Sequence, residues 1–75
     1  MTVKEFGKYI YSDQIVRLIY EDHTIGMSHA GDLQNSYYKD SEIEPGSIHS
    51  TYGNVISLRI ANIVEPNNQQ MEIRL

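Results

Sequence analysis

The sequence predicts a small α+β domain, with one N-terminal helix packed on an antiparallel sheet in the order α-β-β-(long loop)-β-β. Three observations carry this. Ten isoleucines and four valines stand against four leucines and two alanines, and β-branched side chains suit a pleated surface better than a helix. Apolar residues alternate with period two in stretches at both ends of the chain. Thr2 and Glu5 form a T-x-x-E capping box, the signature of a helix start. A chain of 75 residues buries only about 60% of its unfolded surface, so residues 1–75 are expected to form a single domain around one small core.

The helix comes first. The Thr2 hydroxyl is placed to accept from the Glu5 amide while the Glu5 carboxylate reaches back to the Thr2 amide, and Met1 and Phe6 occupy the staple positions. Val3, Phe6 and Ile10 recur on one helical face, and Ser12-Asp13 supplies a stop. A helix of about two and a half turns is expected, weakened by about 1 kcal/mol at Gly7 relative to alanine. Lys4 and Lys8 fall on its outer face. So short a helix must dock on a sheet.

Residues 14–22, QIVRLIYED, read as a central strand, with Val16, Leu18 and Tyr20 on one face and Ile15, Arg17 and Ile19 on the other. Asp22-His23 is the expected turn into TIGMSHA, in which Gly26 marks a bulge or a close backbone approach. His29 is expected to be a partly buried sheet residue satisfied by a hydrogen bond. Asp32 is a candidate N-cap for a short helical turn through LQNSYY. From Gln34 to Asn54 the chain reads as an extended loop. Pro45-Gly46 has the form of a type II turn, Gly53-Asn54 marks a second turn, and SIHSTY between them has the makings of a short edge strand. Alternation returns in NVISLRIANIV, with Ile56, Leu58, Ile60 and Val64 on one face and Val55, Ser57, Arg59, Ala61 and Ile63 on the other. EPNNQ connects it to MEIRL, and the two runs are expected to pair as an antiparallel hairpin carrying Arg59, Glu72 and Arg74 on its wetter face.

Composition narrows the function classes. Six Lys plus Arg against ten Asp plus Glu give a net charge of −4, which disfavours direct nucleic-acid binding because phosphate contacts need a concentrated basic face. No apolar run approaches the roughly 18 residues of a membrane span, so no membrane role is expected. The absence of cysteine removes thiolate chemistry and suits a reducing, cytoplasmic compartment. There is no G-x-S-x-G elbow, no Gly-rich phosphate loop and no converging ligand set around the three histidines, so neither catalysis nor a cofactor or metal is expected.

What remains is a surface. Asp32, Asp40, Glu42 and Glu44 accompany a single Lys39, with Tyr37, Tyr38 and Tyr52 interleaved and His49 nearby. Tyrosine buries much area at low entropic cost, and carboxylates engage the Arg and Lys of a partner. These eight residues, Asp32, Tyr37, Tyr38, Asp40, Glu42, Glu44, His49 and Tyr52, are the candidate partner-binding set.

The opening MTVKEF, the strand IVRLIYED with its turn, the GDL step and the closing NVISLRI…MEIRL resemble small open reading frames of phages and prophages of Gram-positive bacteria. Their pattern is a TVKEF helix, a strand rich in Val and Ile, a turn and a hydrophobic terminal hairpin. The resemblance implies a non-enzymatic protein acting in the host cytoplasm. Such a protein binds and blocks a host protein, for instance a basic nucleic-acid enzyme such as a CRISPR effector, as anti-CRISPR proteins do. No functional residue is carried over from it. Two alternatives stand beside this one: a homo-oligomer, such as a homodimer paired through strand edges, that sequesters a signalling nucleotide between subunits, and a phage structural or assembly accessory.

Overall fold

A computed structural model describes residues 1–51 and 53–64. The elements are α1 (Val3–Gly7), β1 (Ile15–Tyr20), β2 (His23–His29), a 3₁₀ helix (Ala30–Asn35), β3 (His49–Thr51) and β4 (Val55–Arg59). The four strands form one sheet in the order β2-β1-β4-β3, and the fold is α+β.

Both members of the capping box are present, Thr2 N donating to Glu5 Oε1 at 2.9 Å and Glu5 N to Thr2 Oγ1 at 3.3 Å. The helix is nevertheless only five residues long, shorter than its periodicity predicts. Gly7 is its last residue and abuts the 3₁₀ helix so closely that a Cβ there would lie 2.8 Å from the Ala30 carbonyl oxygen. Beyond Lys8 the chain turns, and Ile10 reaches the core from the turn rather than from a third helical coil. Met1 does not close the expected staple: its side chain is exposed and its carbonyl accepts from Ile43 N at 2.9 Å.

β1 is central, as its two partly apolar faces predict, with β2 antiparallel on one side. On the other side β4 runs parallel to it, so the sheet is mixed and the expectation of a purely antiparallel sheet is corrected. The cause is connectivity, since a parallel neighbour needs a long crossover, and everything from β2 to β3 supplies it. The second strand of the expected terminal hairpin, residues 71–75, lies outside the described residues. The short edge strand forms as β3, paired antiparallel with β4. β4 itself ends at Arg59. Ile60 makes only an isolated bridge with Ile43, and the alternation through Val64 does not extend the strand.

The β1–β2 turn is one residue earlier than expected, at Glu21-Asp22, both with positive φ (50° and 66°). The register shifts between Leu18 and Ile19, placing a bulge beside Gly26. Asp32 does not cap the 3₁₀ helix: it lies within it, and the cap position belongs to His29, whose side chain is exposed and makes no capping bond. The Pro45-Gly46 turn forms as expected, with Gly46 at φ 77° and Ser47 N donating to Glu44 O at 3.2 Å.

The core lies between one face of the sheet and a layer made of α1 and the 3₁₀ helix. Val3, Phe6, Val16, Leu18, Ala30, Leu33, Ile43, Leu58 and Ile60 are buried there, each large side chain contributing about 1.5–3 kcal/mol. The stretch from Gln34 to Asn54 is therefore not a free loop. Ser41 and Ile43 are buried, and its backbone is pinned on both sides. Val3 N donates to Ser41 O and Lys4 N to Lys39 O, while Ala61 N donates to Glu42 O and Glu44 N to Arg59 O, at 2.8–3.0 Å. Buried backbone polar groups need partners, and α1 and the end of β4 provide them.

Candidate functional site

The structure divides the expected partner-binding residues between two surfaces. On the helix-bearing side, Tyr38 is half-buried against the core and Tyr37 packs edge-on against it, ring centroids 5.0 Å apart at 75°. Tyr37 is 52% exposed. Beside the tyrosines run two carboxylates. Asp40 lies 3.5 Å from Lys4 Nζ and 3.6 Å from Lys39 Nζ, and Glu42 lies 3.1 Å from the N-terminal ammonium. Asp32 is exposed and makes no ion pair among the described residues. Tyr52 lies outside the described residues. Exposed ion pairs contribute only about 0–1 kcal/mol each, so an incoming Arg or Lys exchanges for the internal cation at little cost.

Glu44 and His49 belong to the other surface, at one end of the sheet face turned away from α1. A cleft of about 480 Å³ is lined there by Ile19, Glu44, Pro45, Gly46, Ser47, His49 and Arg59. Its walls hold because Ser47 ties the turn to the strand: its hydroxyl donates to Glu44 O at 2.7 Å and accepts from Arg59 N at 3.0 Å. Arg59 spans the rim, with Nε 3.2 Å from Glu44 Oε1 and a terminal nitrogen 2.9 Å from Asp22 Oδ1. The Ser47 carbonyl lies 3.0 Å from His49 Nδ1, so that nitrogen is placed to donate to it. Among the described residues no cluster of three His, Cys, Asp or Glu side chains is arranged to hold a metal ion, and no helix is long and apolar enough to cross a membrane.

Sequence reasoning missed three features. Tyr9 and Tyr11, not singled out by the sequence pattern, are 75% and 84% exposed and border a second groove with Ile10, Gln14 and Ile56. Tyr9, Ile10 and Tyr11 follow Lys8 directly, and three consecutive apolar or aromatic residues cannot all share one helical face, which is the signal that could have found them. Asp22 and Ser47, partners of the Arg59 network, depend on contacts far apart in sequence and carried no local sign. Nor did the pairing of Arg17 with Ser57 across the parallel strands.

No family model, curated protein or solved structure matches this chain.

Proposed function

We propose that this protein acts without catalysis, as a small phage-type binding protein that occupies the surface of a host defence or nucleic-acid-processing protein in the manner of an anti-CRISPR protein, in the host cytoplasm. One observation carries this reading. Tyr37 stands half-exposed on a backbone pinned to α1, its ring braced by the anchored Tyr38 and flanked by Asp40 and Glu42. A rigid aromatic beside exchangeable carboxylates offers contact area with little ordering cost to a basic partner. Co-purification with a basic nucleic-acid enzyme is the test. Tyr37→Ala combined with Asp40→Asn and Glu42→Gln should abolish capture while leaving the fold intact, since none of the three side chains is in the core. Capture undiminished by the triple change would remove this surface from consideration.

The cleft of about 480 Å³ beside Arg59 supports the ligand-binding half of a second reading, a homo-oligomer that sequesters a signalling nucleotide, because its size falls within the range of small-molecule sites. Light scattering separates the two: a strict monomer at high concentration counts against a pocket shared between subunits.

A further inference from the structure

The sheet face turned away from α1 carries a row of side chains in register across all four strands: Met27 on β2, Arg17 on β1, Ser57 on β4 and His49 on β3. Two atoms in the middle of this row stand out. Arg17 Nε and Ser57 Oγ are the buried side-chain polar atoms without a hydrogen-bond partner among the described residues. Ser57 is 0% exposed. The two residues are direct neighbours across the parallel strands, yet they do not bond to each other. No carboxylate of the described residues lies within ion-pair distance of Arg17, whereas Lys4, Lys39, Arg59 and the N-terminus are each paired. Leaving a buried donor unmet is costly, more so on a charged group, and an unmet pair at adjacent positions signals a missing partner.

We propose that Arg17 and Ser57 form a carboxylate-binding site on the sheet face turned away from α1, independent of the tyrosine-bearing surface on the other side. The guanidinium supplies two parallel donors that match the two oxygens of a carboxylate, and the Ser57 hydroxyl supplies a third. The flanking register positions are Ile15 and Ile19 on β1, Val55 and Arg59 on β4, Met27 on β2 and His49 on β3. The apolar side of this setting, formed by Ile15, Ile19, Val55 and Met27, selects a monoanion borne on an aliphatic group and disfavours a doubly charged phosphate, which would need more donors to offset its dehydration. Arg59, two residues along β4, is already occupied by Asp22 and Glu44.

The test is an NMR titration of the full chain at fixed ionic strength, following the Arg17 Nε–H signal, assigned by its loss in Arg17→Lys, and the Ser57 amide. The probes are hexanoate, acetate and inorganic phosphate. Hexanoate should give a saturable shift of both signals, acetate a weaker one and phosphate none. Arg17→Met should abolish the response, and Ser57→Ala should weaken hexanoate binding on the order of tenfold. Should Arg17→Met fail to fold, the Ser57→Ala titration carries the same comparison. The proposal is overturned if no shift saturates, if phosphate competes as well as hexanoate, or if Ser57→Ala binds hexanoate unchanged. It is equally overturned if the Arg17 Nε–H signal moves in Glu65→Gln or Glu72→Gln without added ligand, because the missing partner would then be this chain's own carboxylate.

Discussion

Gly7→Ala sets two physical effects against each other, and the structure decides the sign. Helix propensity alone favours alanine by about 1 kcal/mol, and Gly7 does not occupy the positive-φ region that would penalise a side chain. A Cβ at this position, however, would stand 2.8 Å from the Ala30 carbonyl oxygen and 3.0 Å from Leu33 Cβ, well inside the 3.4 Å at which ordinary contact begins. Neither atom is the end of a flexible side chain that could swing aside, so α1 must move off the 3₁₀ helix and loosen the packing of the fully buried Leu33. Overpacking of this kind costs about 1–3 kcal/mol. The balance is a net loss of about 0–2 kcal/mol, which for a chain of this length lowers the melting temperature by up to roughly 16 °C. Urea denaturation followed by circular dichroism should show an earlier midpoint with an unchanged slope. Gly46→Ala calibrates the assay, because nothing lies within 4 Å of a Cβ there and only the backbone at φ 77° objects, at about 1–2 kcal/mol. A Gly7→Ala protein more stable than the parent, by the roughly 1 kcal/mol that helix propensity alone supplies, refutes the close approach of α1 to the 3₁₀ helix.

Three further outcomes are expected. Glu21→Asn should stabilise the protein by about 0.5–1 kcal/mol in the same urea assay, because the two-residue turn holds Glu21 at φ 50°, where asparagine is the better tolerated residue, and Asp22 keeps its contact with Arg59. Leu18→Ala should cost about 2–5 kcal/mol whereas Ile48→Ala, exposed in the middle stretch, should stay within about 0.5 kcal/mol; equal losses would mean that Ile48 is core. Hydrogen bonding from the Thr2 backbone N–H holds the Glu5 carboxyl below its ordinary value, aided by the Thr2 hydroxyl, the N-terminus and Lys8. A depressed carboxylate contributes stability that is present above its unfolded pKa and lost as pH falls through the folded one. Glu5→Gln should therefore flatten the fall in urea midpoint on acidification below the usual glutamate range, and an unchanged pH profile would contradict the capping role.

Local rules were the legible part of this sequence. The capping box needs only Thr2 and Glu5 three residues apart, the Pro45-Gly46 turn only two adjacent residues, and the facing of Val16 and Leu18 against Arg17 and Ile19 only the pleat. What could not be read was long-range. The parallel pairing of β1 with β4 joins Ile15 to Val55, and nothing in either segment's own pattern distinguishes a parallel from an antiparallel partner. The same limit explains the middle stretch. Ser41 and Ile43 look like loop residues among carboxylates, yet the amide of Val3 and the carbonyl of Met1 bind their backbone. Gly7 shows how a local rule can be correct and still misleading. It does end the helix early, but its presence there is required by a neighbour more than twenty residues further along the chain.

The ion-pair pattern also bears on how the net charge of −4 should be interpreted. A uniform excess of carboxylates would repel any anion and attract any base without preference, and no site would follow from counting. Here Asp40, Glu42 and Glu44 are each matched by a cation at 3.1–3.6 Å, so the acidity they lend to long range is reduced, and Arg17, on the sheet face away from Asp40 and Glu42, has no such match among the described residues. Beyond a screening length of about 8 Å at physiological salt, local pairing matters more than net charge. The two surfaces therefore answer to opposite chemistries and lie on opposite sides of one thin sheet. Raising ionic strength should weaken capture of a basic partner through the first, whereas hexanoate at the second, held by directed donors in an apolar setting, should lose less.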